Sequence, residues 1–243
     1  MIQEAELAEP AARAAVARGA VAEGLAVLIG ILLAFAIDAG WEERGERATE
    51  RELLTAVQNE LVDARAGFVG NKARLEQTSG RGTEVLRALG TSTPGSVSND
   101  SVIVLSRVVS PPPTYYPPRA ALDDLTGSGG IALVQSDSVR RAIAAYERTL
   151  SHDLQKQELL LELWRVELAP YLYRHSTVAP SDGVLVGAGD LAPRPSSVDR
   201  SAYLGNRTYL NLVSAQSLRI RDVGNTHDQA IGAIDHVLEL LAR

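Results

Sequence analysis

Fourteen consecutive residues, Gly24–Ile37, carry no polar side chain, and the run ends abruptly at Asp38 and Trp41-Glu42-Glu43-Arg44. A helix of that length rises only about 21 Å, short of the roughly 30 Å hydrocarbon core of a bilayer. The pattern therefore predicts a membrane span that reaches back through Glu23 to about residue 20 and forward to Trp41. Glu23 and Asp38 then fall near the two interfaces, where a carboxylate can meet headgroup water or be protonated. Beyond the span, Leu54, Val57, Leu61, Ala64 and Phe68 recur at steps of three and four, and the frame continues through Asn71, Leu75, Thr78, Gly82, Val85 and Leu89. That periodicity predicts a charged helix with a heptad-like face over about 42–79, continuing from the span, with a kink or break near Gly80.

Loop-forming residues divide the remainder of the chain. The Ser, Gly, Pro and Asn residues of 91–101 predict a loop. Ser101–Ser110 fits a strand by propensity and a short helix by its facing Val102, Leu105 and Val109, and is taken as helix. The run Pro111-Pro112-Pro113-Thr114-Tyr115-Tyr116-Pro117-Pro118 must be extended, because each proline lacks a donor and restrains its predecessor. A short helix over Arg119–Leu125 stops at Gly127-Ser128-Gly129-Gly130. Ser136 or Asp137 caps a long helix over 136–169 that Pro170 ends, with Val139, Ile143, Tyr146, Leu150, Leu154, Leu161, Trp164 and Leu168 on its apolar face. Residues 179–195 are rich in Gly and Pro and form a second long loop. The last helix, about 199–242, carries Leu210, Val213, Ser217, Ile220, Gly224, His227, Ile231, Ile234, Leu238 and Leu241 at alternating steps of three and four. The predicted fold is all-α: an N-terminal arm over 1–19, a transmembrane helix over 20–41, and an elongated extramembrane helical bundle over 42–243.

Composition narrows the function classes. The 243 residues leave room for one extramembrane domain with a real core. A net charge of −6, with arginines dispersed among 30 acidic residues, argues against nucleic-acid binding. The absence of cysteine excludes disulfides, thiolate metal sites and cysteine nucleophiles. A signal peptide is the competing reading of the apolar run, since Ala34-Phe35-Ala36 fits a small-x-small cleavage pattern. The preceding residues carry Glu4, Glu6, Glu9 and Glu23 against Arg13 and Arg18, unlike a basic leader, so an uncleaved anchor is the expectation. Basic residues flank the span too evenly for the positive-inside rule to fix its orientation.

The run from Glu23 through Ile29-Gly30-Ile31 to Asp38, with Trp41-Glu42-Glu43-Arg44 after it, resembles the opening of a family of uncharacterised bacterial single-span membrane proteins. Leu122-x-x-Leu125-x-x-x-Gly129, followed by Val139-Arg140 and Tyr146, resembles that family's segment before its middle helix. Asp38-Ala39-Gly40 and the acidic leader depart from the family's pattern. The resemblance implies a bacterial inner-membrane location with an outward, periplasmic C-terminal domain. It implies no catalytic residue.

Within the span, Ala22, Ala26, Gly30, Ala34 and Asp38 recur every four residues and make one face nearly smooth, a surface on which another membrane helix can approach closely. Trp41 is the interfacial anchor. An alanine-rich, lipid-facing span is the plainer reading of the same residues. Elsewhere the candidate chemistry is thin. His227 and His236 are nine residues apart, on opposite sides of one helix, and cannot share a metal. His227 reads as a polar core layer, and His152-Asp153 as an interruption of an apolar stripe. Gly127–Gly130 lacks the Lys-Ser/Thr of a phosphate loop and reads as a helix stop. The proline and tyrosine strip reads as packing across the bundle, with a docking strip as the alternative.

The sequence thus predicts no catalytic, cofactor-binding or metal residue and no cofactor. It predicts a non-enzymatic, membrane-anchored interaction protein, an accessory or stabilising subunit of an inner-membrane complex, whose partners are other membrane subunits or itself, and lipid. The alternative is a single-span sensor that binds a small ligand between helices near Trp164, Tyr146 and His227.

Overall fold

The computed structural model describes the backbone of all residues except 1–7, 92–96, 99–100, 103, 105–108, 128 and 176–197, and the side chains of these residues apart from 8–27, Ile29 and Ala36. The described residues are all-α. They are α1 (Ala8–Gly90), α2 (Ala120–Gly127), α3 (Asp137–Glu162), a π-helical segment (Leu163–Leu168), α4 (Ala169–His175) and α5 (Arg207–Leu241), with 3-10 turns at Gly130–Ala132 and Arg200–Ala202. The chain divides into two compact units, residues 1–54 and 55–243.

In the first unit, among the described residues, no helix is long and apolar enough to cross a membrane. Some of the expected span, residues 20–27, Ile29 and Ala36, has side chains outside the described set.

The second unit is built on the frame expected for α1. Val57, Leu61, Ala64, Phe68, Asn71, Leu75, Val85 and Leu89 are all buried. The helix does not break near Gly80 but runs to Gly90. Gly82 is there for closeness: a Cβ on it would lie 2.7 Å from Ser217 Oγ on α5. Gly67, earlier on the same helix, permits a second close approach, since a Cβ there would lie 2.0 Å from the Tyr115 ring. At these two positions glycine admits a close contact, and the helix hydrogen bonds survive it.

Tyr115 belongs to the extended proline crossing, which α1 and α3 pin. Its ring meets Phe68 edge-on at 5.0 Å. Its backbone N–H donates to Gln157 Oε1 at 2.7 Å, and its carbonyl accepts from Gln157 Nε2 at 2.9 Å, so a side-chain amide on α3 replaces a neighbouring strand. Glu60 on α1 then accepts from the backbone N–H groups of Ala121 and Leu122 at 2.8 and 3.1 Å, capping α2 from another helix. Among the residues of 101–110, Ser101, Val102 and Val104 are helical; Ile103 and 105–108 lie outside the described residues. So do 92–96 and 99–100 of the first expected loop, and all of the second.

Ser136 caps α3, its hydroxyl accepting from the Val139 N–H. The inward stripe then departs from expectation. Asp153, Gln157 and Leu160 are buried where Leu154 and Leu161 were expected, and both leucines are only half-buried. A reading that seeks apolar residues rotates the helix by one position when polar side chains occupy its interior. Nor does Pro170 end the helix at 169: the chain passes through the π segment and continues as α4 to His175. The wider π turn just before Pro170 relieves the clash of its ring with the carbonyl four residues back, and removes the need for its N–H.

The last helix begins at Arg207 rather than 199. Asp199 caps only a single 3-10 turn, Gly205 takes a left-handed φ of 63°, and Asn206 Oδ1 accepts from the N–H groups of Thr208 and Tyr209. Gly205 N–H also donates to the Leu89 carbonyl at 3.1 Å, joining the start of α5 to the end of α1. The buried face of α5 is Tyr209, Val213, Gln216, Ile220, Val223, Thr226, His227, Ala230, Ile234 and Val237. Val213, Ile220, His227 and Ile234 match the predicted frame, and the intervening positions shift by one because α5 packs against both α1 and α3.

Candidate functional site

Three groups of residues stand out, one in residues 1–54 and two in residues 55–243. In residues 1–54, Leu28, Ile31, Leu32, Leu33, Phe35, Ile37 and Trp41 are between 48% and 71% exposed. At 100° per residue these seven are distributed around α1 so that no arc wider than about 100° lacks one. They do not form the stripe of a helix with one buried face. Of the expected contact face, Gly30, Ala34 and Asp38 are exposed, as is Trp41; a Cβ on Gly30 would meet nothing within 4 Å. The side chains of Ala22 and Ala26 lie outside the described residues.

In residues 55–243, a polar cluster sits at the centre of the core. Asp153 on α3 and His227 on α5 are both fully buried, with Asp153 Oδ1 2.7 Å from His227 Nδ1. The carboxylate also accepts from the Thr226 hydroxyl at 2.5 Å and from Gln157 Nε2 at 2.7 Å. On the other side of the ring, His227 Nε2 faces Asn71 Nδ2 of α1 at 3.0 Å. An amide nitrogen only donates, so Nε2 accepts and the ring proton sits on Nδ1, where it donates to Asp153. Phe68 closes the cluster edge-on to the imidazole at 4.9 Å. Asn71 Oδ1 is buried without a partner among the described residues. The cluster continues through Gln157 to the backbone of Tyr115, so all three long helices and the proline crossing meet in one hydrogen-bonded chain.

Sequence adjacency misassigns these partners. His152 is exposed while Asp153 is buried, and Asp228 reaches outward to Lys72 Nζ at 2.6 Å instead of to His227. Neighbours on a helix point about 100° apart, so the pairing that forms is between helices. Lys72 gains by it: the hydrogen bond that it donates to Asp228 raises its ammonium pKa. His236 is exposed, and among the described residues no group of three or more His, Cys, Asp or Glu could hold a metal ion.

A third group, of tyrosines, closes the end of the bundle. Tyr171, Tyr203 and Tyr209 stack and cross with centroids 4.8 to 6.3 Å apart, and Trp164 packs against them. Tyr171 donates to the Ala202 carbonyl at 2.6 Å. Burial pushes the Tyr209 and Tyr171 hydroxyls above the ordinary tyrosine pKa, and does the same to Tyr146 in the main core. Two of the three residues expected to line a ligand cavity, Tyr146 and His227, are therefore packed inside the core, and the third is half-buried against this tyrosine group.

Comparison of the chain with protein-family models, with curated proteins and with solved structures finds no match.

Proposed function

We propose that the chain is a membrane-anchored, non-enzymatic interaction protein whose residues 20–41 span a bacterial inner membrane. The observation that carries this reading is the ring of exposed Leu28, Ile31, Leu32, Leu33, Phe35, Ile37 and Trp41 around one helix. An apolar surface that faces every direction suits lipid, because a single protein partner covers one face only. Moving seven such side chains out of water is worth on the order of 10 kcal/mol. The resemblance of this segment and its Trp-Glu-Glu-Arg exit to single-span proteins agrees with the anchor, and implies a periplasmic C-terminal domain. Gly30 and Ala34 leave one side of the helix low enough for a second membrane helix, from another subunit or a second copy. The buried dyad supports a structural role: both imidazole nitrogens are engaged within the core, and Nε2 meets the Asn71 amide rather than a hydroxyl nucleophile. A protein of this design serves as an accessory or stabilising subunit of a larger membrane assembly.

Fractionation and gentle extraction test it. The chain should remain in membranes through an alkaline carbonate wash, and Leu32→Arg with Leu33→Arg should release it. After mild detergent extraction, size-exclusion chromatography and mass spectrometry should find a stoichiometric membrane partner. Recovery in the soluble fraction would remove the anchor, and elution as a lone monomer would remove the accessory role.

A further inference from the structure

We infer that the outward face of α1 over residues 55–73 is a seam on which a second copy of this chain docks, parallel and in register. α1 carries two heptad frames in this stretch. The inward one, Val57, Leu61, Ala64, Phe68 and Asn71, is buried. The other, Thr55, Asn59, Val62, Ala66, Val69 and Ala73, is exposed at every position, with Val62 and Val69 at 51% and 48%. At 100° per residue these six fall within an arc of about 80°, on the side of the helix away from the buried frame, and they run for about 27 Å without a charge. A solvated helix face ordinarily carries charged residues, and steps of four and three are the spacing of a coiled-coil seam. Ala66 and Ala73 let a second helix come close. Unlike the apolar ring of residues 28–41, this strip occupies one side only, the form that a protein partner covers.

Two features select a copy of the same chain. Asn59 is the one amide in the strip. In a parallel, in-register pair it meets its own counterpart, where each amide can donate to and accept from the other, and a polar residue at one seam position is a device that fixes register. In an antiparallel pair that stacks Val62 on Val69, Asn59 would fall level with Ala73 and lose that partner. The flanks are complementary as well. In a parallel pair position 58 lies beside position 63 of the copy, so the Gln58 amide can donate to the copy's Asp63, whose own carboxylate makes no ion pair among the described residues. Arg65 and Lys72, on the same flank as Gln58, would lie beside Gly70 and Gln77 of the copy rather than a like charge, and each is drawn to a carboxylate of its own α5, Asp235 and Asp228, at 2.6 Å. An antiparallel pair would bring Arg65 to face Arg65. The seam lies wholly in residues 55–73 and does not need the anchor, although two chains fixed in one membrane would share the orientation it requires.

Disulfide trapping in the full chain tests the seam, on a clean background because the chain has no cysteine. Val62→Cys and Val69→Cys, each alone, should give a disulfide-linked dimer on mild copper–phenanthroline oxidation of isolated membranes, since an in-register pair brings each position to within about 7 Å of its counterpart, Cα to Cα. Arg148→Cys, exposed on α3, reports random collision and should give little dimer. Adding Ala66→Arg, at an exposed helix position, should cut the Val62→Cys link at least about tenfold, because like charges apposed in an interface are strongly unfavourable. Trapping at only one of the two valines would overturn the parallel register, and trapping at neither would remove the seam. Equal trapping of Arg148→Cys, or indifference to Ala66→Arg, would reduce the links to collision and overturn it too. The carbonate wash reads the anchor separately, and a chain recovered in the soluble fraction is oxidised there in the same way.

Discussion

Replacing Asp153 with valine removes the acceptor on which three donors converge, and the consequences for each can be worked out. The Thr226 hydroxyl falls back on the Val223 carbonyl at 2.9 Å, and Gln157 Nε2 keeps the Tyr115 carbonyl. The His227 Nδ1 proton has no second acceptor and becomes an orphan in a fully buried site. An orphaned buried donor costs about 1–3 kcal/mol, and the substitution should destabilise by about that much. His227→Leu should cost about as much, because it strips a buried carboxylate of one of its donors. The double variant leaves neither an orphaned charge nor an orphaned imidazole, so its cost should be at least about 2 kcal/mol below the sum of the singles. Adding Asn71→Val removes the amide that faces His227, including the Oδ1 that has no partner among the described residues, and should bring stability back toward that of the parent. Urea unfolding followed by circular dichroism, with a constant denaturant slope, gives these differences. Single costs that add to within about 0.5 kcal/mol would refute the idea that the cluster acts as one unit.

Three further outcomes are expected from the geometry. Gly67→Ala, which drives a Cβ into Tyr115, should destabilise by about 1–3 kcal/mol, whereas Gly224→Ala, into open space, should stabilise by about 0.5–1 kcal/mol; thermal unfolding of the pair measures both signs. Glu60→Ala should cost about 1–2 kcal/mol and speed hydrogen exchange at the Ala121 and Leu122 amides, whose acceptor it removes, ahead of exchange in α5. Burial raises Tyr146 and Tyr209 above the ordinary value of 10.0, so their share of stability is complete below pH 10 and is lost as pH rises toward the folded value. Each should steepen alkaline destabilisation by about 1.4 kcal/mol per pH unit, with their phenolate absorbance appearing only together with loss of helix; earlier ionisation in the folded protein would contradict the burial.

How far the sequence was legible depended on whether local pattern or distant contact set each feature. The α1 frame from Val57 to Leu89 could be read because it has one polar and one apolar side over many turns. The proline crossing could be read because proline chemistry is local. The stripe of α3 was misread at Asp153, Gln157 and Leu160, since hydrophobicity cannot distinguish a solvated polar residue from one whose partners come from two other helices. Glu60 capping α2 across 61 residues, and Gln157 pairing with Tyr115, leave no mark in periodicity at all. Glycine was ambiguous in principle: Gly82 and Gly224 look alike in sequence, and only the neighbours on the opposing helix separate a tight contact from an opening.

The π segment at Leu163–Leu168 sets what kind of mutation this chain can survive there. It holds one residue more than an α-helical path of the same turns would need, in effect an insertion that the fold has absorbed. Substitutions in it, at exposed Arg165, Val166 or Glu167, change only the surface. Deleting its extra residue would restore an ordinary helix of the same number of turns, so the residues beyond it would keep their faces. Leu172 would stay with the core group that holds Tyr203 and Tyr209, but Pro170 would lose the loosened turn that admits it. Lineages of this protein should therefore vary freely at the exposed positions of the segment and, wherever Pro170 is kept, hold its length fixed.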